Sequence, residues 1–125
     1  MESKRYIYKS RVLRVGPEVK ELMDGGVAIF FADPVPEALE QVSIVHAQIE
    51  GQVDDINVGD AIYLNDSKAI ITAVGERAME NIRQLGHMVV YLDGAEEATL
   101  PGAINASGKL ELPKPGDLLA IIREN

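Results

Sequence analysis

Leu118-Leu119-Ala120-Ile121-Ile122 is a continuous apolar run late in a chain of 125 residues. It lacks the alternation of a half-solvated strand and suits a strand covered on both faces, whereas Tyr6 to Arg14 alternates roughly and suits an outer strand. A small barrel contains both kinds. Between these two stretches the apolar runs are short and rich in β-branched residues, and Gly, Pro, Asn or Asp separates most of them, which is the pattern of strands joined by turns. Strands are predicted over Tyr6–Val15, Val27–Phe31, Val42–Ile49, Ala61–Asn65, Lys68–Val74, His87–Asp93, Ala103–Ala106 and Leu118–Arg123. The expected fold is mainly β, a small closed or partly open barrel or sandwich.

One segment departs from this pattern. Glu76 to Leu85 places Ala78, Met79, Ile82 and Leu85 at helical intervals, with Glu76 in the first turn and Gly86 after the end. That spacing predicts one amphipathic helix over about 76–85, stopped by glycine. Pro17 to Met23 and Pro34 to Gln41 are candidates for shorter helices, because proline suits a first helical turn and Glu18 or Glu37 follows it. Gly59-Asp60 and Gly116-Asp117 each precede an apolar run, but two dipeptides do not establish an internal repeat. No linker, low-complexity tract or charge block divides the chain, so residues 1–125 are expected to form a single domain.

Composition narrows the function. The chain carries 12 Lys+Arg against 20 Asp+Glu, a formal charge of −8, with 46% apolar residues and no cysteine. The carboxylate excess repels phosphate backbones and anionic membrane surfaces, so neither nucleic acid nor lipid is an expected partner. Without cysteine there is no disulfide framework and no thiolate nucleophile. Met1 to Arg11 has no apolar signal-like region and no stretch approaches the ~18 apolar residues of a membrane span. A cytoplasmic protein without direct membrane insertion is expected. Gly25-Gly26 and Gly86 lie in no nucleotide fingerprint and no Gly-x-Ser-x-Gly elbow is present, so no cofactor is expected.

The two histidines remain as candidates for chemistry. Val42, Ile44 and His46 share one face of a predicted strand and are followed by Gln48 and Glu50, so His46 is expected at the exposed rim of a core, with one ring nitrogen accessible and the other held by an acceptor. A neutral imidazole there is a good nucleophile, and a half-buried structural histidine fits the same pattern. His87 follows Gly86 where helix gives way to strand. Stabilisation of its protonated ring by the helix dipole and a phosphate-facing role both account for it. A metal held by the histidines with Asp54, Asp55 or Asp93 has no supporting spacing, and no metal site is expected.

The stretch from Ala73-Val74-Gly75-Glu76-Arg77-Ala78-Met79-Glu80-Asn81 through Leu85-Gly86-His87, followed by Tyr91-Leu92-Asp93-Gly94 and Leu100-Pro101-Gly102, resembles the glucitol/sorbitol-specific IIA component of the bacterial sugar phosphotransferase system. The resemblance extends over nearly the whole chain and is loose only from Pro17 to Gln41. It implies a phosphoryl carrier that takes phosphate from the phosphocarrier protein HPr and passes it to the IIB component of the sorbitol permease. Ile44-Val45-His46 occupies the place of the family's phosphorylated histidine, which implies phosphorylation of His46 through Nε2. His87 is implied to lie close to it and to stabilise the phosphoryl group. Relatives can carry a second histidine two residues after the active one, where this chain has Gln48. A reading from a different class, with no covalent chemistry, is a β-barrel metabolite-binding or transporter-associated module.

Overall fold

The computed structural model of the protein describes residues 4–49 and 54–124. Its strands are β1 (Lys4–Val15), β2 (Val27–Ala32), β3 (Ile44–Gln48), β4 (Ala61–Leu64), β5 (Ser67–Val74), β6 (Met88–Tyr91), β7 (Ala103–Lys109) and β8 (Leu118–Glu124). They close into a barrel in the order β1-β3-β2-β6-β7-β5-β4-β8. Each predicted strand overlaps an observed one, and the open choice between barrel and sandwich falls to the closed barrel. The third begins later than predicted because a 3₁₀ turn, Glu37–Val42, runs up to its start. Glu50, read as the polar continuation of that strand, lies outside the described residues. The predicted helix is α2 (Ala78–Leu85), and the short candidate after Pro17 is α1 (Val19–Asp24).

Closure gives every strand two neighbours and leaves no unpaired edge. In β8, Leu119 and Ile121 point into the core while Ala120 and Ile122 on the opposite face are buried as well, which accounts for the unbroken apolar run. Interior positions are filled by Phe30, Ile44, Ile62, Ile71, Met88 and Ile104, all at most 1% exposed. Each such side chain contributes about 1.5–3 kcal/mol when fully buried.

The barrel is built from two related halves. Apart from the 3₁₀ turn Glu37–Val42, β1-α1-β2-β3-β4 and β5-α2-β6-β7-β8 have the same succession of elements, and exchanging each strand with its counterpart reproduces the strand order. The pairings agree in detail. Val15 faces Ile44 as Val74 faces Ile104, β2 runs parallel to β3 as β6 does to β7, and both long strands shift register at the same place, between Val12 and Arg14 and between Ile71 and Ala73. At Gly16 and at Gly75 a methyl group would collide with the carbonyl of Gln41 or of Pro101, so both turns into the helices demand glycine. The two Gly-Asp dipeptides are equivalent turns. Gly59 N–H donates to Ile71 O (2.9 Å) and Gly116 N–H to Val12 O (2.8 Å), with φ of 98° and 96°. The repeat that two dipeptides did not establish is present in the backbone, because it resides in strand pairing more than in residue identity.

The two aspartates differ in burial. Asp60 is 3% exposed, accepts the Asn57 N–H (2.8 Å) and takes Arg123 on both oxygens (2.9 and 3.0 Å), whereas Asp117 accepts the Lys114 N–H (3.0 Å) and meets only the exposed Lys114 ammonium at 3.5 Å. Asp60→Ala should therefore lower unfolding free energy by about 3 kcal/mol, the range for breaking a buried ion pair from one side. Asp117→Ala should lower it by about 1 kcal/mol. Urea denaturation of both variants checks the order.

Candidate active site

His46 sits on β3 with Val12 of β1 and Ala32 of β2 as its strand partners. It shares the inward face with Ile44, and its ring is completely buried, at 0% exposure. Nδ1 lies 2.6 Å from Ser10 Oγ and 3.4 Å from the Tyr8 hydroxyl, while Nε2 lies 2.8 Å from the carbonyl oxygen of Gly86. Tyr8 and Phe30 meet the ring edge-on, with centroids at 5.9 and 6.3 Å. The expectation of an exposed rim with an accessible nitrogen is therefore corrected. Alternation along β3 was read rightly as far as His46, but the ring is covered by a glycine forty residues later in the chain, which no local pattern reveals.

The partners define the tautomer. A carbonyl oxygen only accepts, so Nε2 carries the proton and donates to Gly86, and Nδ1 offers its lone pair to the Ser10 hydroxyl. Burial pushes the imidazole below its ordinary pKa, and the Gly86 carbonyl, which favours the protonated ring, opposes this less strongly. The ring is neutral at pH 7. Burial likewise pushes the Tyr8 phenol up, so its hydroxyl stays protonated.

Gly86 is placed by α2. Ala78 and Ile82 bury one face of this helix, and the chain leaves it through Gly86 in the left-handed region at φ 59°. A methyl there would run into the side chain of Ala32, the strand partner of His46. Only glycine fits both the turn and the close approach that brings its carbonyl over the imidazole. A hollow of about 370 Å³ opens at this end of the barrel, lined by Tyr8, Ala32, Gln48 and Gly86 from the surroundings of His46, together with Ile82 and Arg83 of α2.

His87 lies elsewhere. Its Nδ1 donates to the Phe30 carbonyl (3.2 Å), its ring tilts against Phe31 with centroids at 4.6 Å, and it is partly exposed. Phe30 points at His46 inside the barrel and Phe31, the next residue on the strand, points to the other face. The two histidines thus flank the barrel wall from opposite sides, joined through Gly86. The expected inward aim of His87 at a shared phosphate position is corrected: Met88 takes the inward direction. Nε2 of His87 has no hydrogen-bond partner among the described residues.

The carboxylates considered with the histidines serve other ends. Asp54 pairs with Arg5 and Asp55 with Arg83 at the surface, and Asp93 accepts from Asn105 and the Ala95 N–H. Among the described residues no group of three or more His, Cys, Asp or Glu gathers as a metal site would need. The residues that sequence reasoning missed are Ser10, Tyr8 and Gly86. Ser10 and Tyr8 carry one signal, since two hydroxyls fall on the inward parity of β1 with Val12.

A closed barrel of this topology has a solved counterpart. The fold matches the crystal structure of the PTS system IIA component from Enterococcus faecalis V583, with a TM-score of 0.77 at 19% identity over 92% of this chain and 99% of that one. Residues 7–120 match the family described as PTS system glucitol/sorbitol-specific IIA component, and the chain belongs to that family. It is similar to the PTS system glucitol/sorbitol-specific EIIA components of Shigella flexneri and Escherichia coli (strain K12), each 29% identical over 90% of this chain and 87% of the relative. The protein is a phosphotransferase component, as the resemblance implied.

A neutral buried histidine makes stability depend on pH with a defined sign. The folded-state pKa of His46 lies below the unfolded value of about 6.5, so as pH falls the unfolded chain takes up the proton first. Stability from this source is intact above about pH 6.5 and falls as pH drops below it, by up to about 1.4 kcal/mol per pH unit until the folded ring protonates. Thermal or urea unfolding between pH 7 and pH 5 should show a shallower decline for His46→Gln than for the natural chain.

Proposed function

We propose that this protein accepts a phosphoryl group from phospho-HPr on His46 and hands it to the IIB component of a glucitol/sorbitol permease. Family membership over residues 7–120 supports the carrier role and the two kinds of partner. The observation that carries the choice of residue is the position of His46 Nε2, bonded to the carbonyl of Gly86, a residue that lines the hollow. Withdrawal of that carbonyl opens Nε2 towards the hollow bordered by Tyr8, Gln48 and Arg83. Phosphoryl transfer between proteins needs positioning and charge stabilisation more than a deep pocket, and a hollow of about 370 Å³ serves that purpose. No helix among the described residues is long and apolar enough to cross a membrane. We place the protein in the cytoplasm as a single domain.

A second reading makes His87 the acceptor. It is favoured by one observation, the unpartnered Nε2 lone pair of a partly exposed ring whose Nδ1 is already held. The readings separate cleanly. Incubated with phosphoenolpyruvate, enzyme I and HPr, the natural chain should gain one acid-labile, alkali-stable phosphate. His46→Ala should gain none while His87→Ala still does, with circular dichroism showing both folded. Label on His46→Ala and none on His87→Ala transfers the role to His87. A folded natural chain that takes no label is instead a non-covalent binding module.

A further inference from the structure

We infer that Ser10 is the positioning residue of His46, and that the Gly86 carbonyl holds the resting imidazole in the tautomer that cannot accept phosphate at Nε2. The inference rests on the reading that His46 is the acceptor. Its warrant is a comparison the molecule makes with itself. Matching Val15 with Val74 and Ile44 with Ile104 sets Ser10 against Ala69 and His46 against Ala106, and matching Phe30 with Val90 sets Gly86 against Gly26. The counterparts of Ser10 and His46 in the second half are alanines, each at most 1% exposed, and the barrel closes there in the same way. The architecture thus has no need of a polar cluster at this place. A buried serine and histidine are costly to desolvate without full hydrogen bonding, and this chain has spent both bonding partners on one ring.

The two partners of the ring are unlike. A carbonyl only accepts, but a hydroxyl donates or accepts by turning about its C–O bond. At rest Ser10 donates to Nδ1 and Nε2–H donates to Gly86, so the lone pair lies on the wrong nitrogen for transfer at Nε2. Withdrawal of the carbonyl lets the Nε2 proton pass to water in the hollow while Nδ1 takes one from water, with no net change in charge. Ser10 then rotates and accepts from Nδ1–H. The Nε2 lone pair forms the new N–P bond as the donor's phosphohistidine N–P bond breaks and its electron pair returns to the donor nitrogen. Throughout the phosphorylated state the proton stays on Nδ1, where Ser10 Oγ steadies the positive ring. In onward transfer the N–P pair returns to Nε2 and leaves a neutral imidazole. Gly86 acts in the opposite sense, because its carbonyl can be approached by a lone pair only with repulsion.

Nitrogen-15 NMR of the full chain labelled at histidine reads the tautomer directly. The free protein should show His46 protonated at Nε2, and the phosphorylated protein should show it protonated at Nδ1. Ser10→Ala should accept phosphate from phospho-HPr about ten- to a hundredfold more slowly, the scale of loss when the partner orienting a metal-bound imidazole is removed. Ser10→Thr, which keeps the hydroxyl, should recover most of that rate. A free protein protonated at Nδ1 overturns the inference whether or not Ser10→Ala folds. So does a folded Ser10→Ala with natural rate. If the tautomer is as expected but His46→Ala still accepts phosphate, the reading of His46 as acceptor has failed and the inference about its resting tautomer has not.

Discussion

The antiparallel ladder between β1 and β8, from Lys4 against Glu124 to Arg11 against Leu118, is what turns a curved sheet into a closed barrel. β1 has twelve residues and pairs on its other side with β3, so the same strand that closes the cylinder also carries Tyr8 and Ser10 to the imidazole. Without that closure the ring of His46 would face water at an open edge. With it, both nitrogens must find partners inside, and the choice of partners determines which nitrogen holds the proton. Packing and chemistry are thus linked by one strand pairing.

The electrostatics around the site follow from the same enclosure. The chain carries a formal charge of −8, yet among the described residues the buried ring's hydrogen-bond partners are a hydroxyl, a phenol and a backbone carbonyl, with no carboxylate. Asp33 is nearby on the rim of the hollow but is engaged by Arg14, which also grips Glu40. Neutral surroundings suit a ring that must remain a nucleophile, since an adjacent carboxylate would favour the protonated form. Apart from buried Asp60, the acidic residues described lie at least partly exposed, where partners with basic faces are attracted at long range.

Much of this architecture was legible in the sequence. Short β-branched runs located every strand, and the spacing of Ala78, Ile82 and Gly86 located α2 and its glycine stop, because these signals depend on neighbours along the chain. The partners of His46 did not show, since register across strands is set by bulges such as that between Val12 and Arg14, and by which helix end lies over the barrel mouth. His87 illustrates the same limit. A turn out of a helix can aim its next side chain either way, and the inward place was taken by Met88. The repeat was not established by two Gly-Asp dipeptides, and strand pairing made it visible.

The hydrogen bond from His46 to Gly86 crosses the seam between the halves: the imidazole, Tyr8 and Ser10 come from the first, the carbonyl from the second. The protonation pattern of the ring is consequently a property of the assembled molecule and of neither part. Without the second half the imidazole lacks its Gly86 partner and exchanges tautomers as any imidazole in water does. Commitment arrives only when β6 zips against β2 and brings the helix end into register. The protonation pattern of the ring is therefore a chemical record that the two halves have been joined.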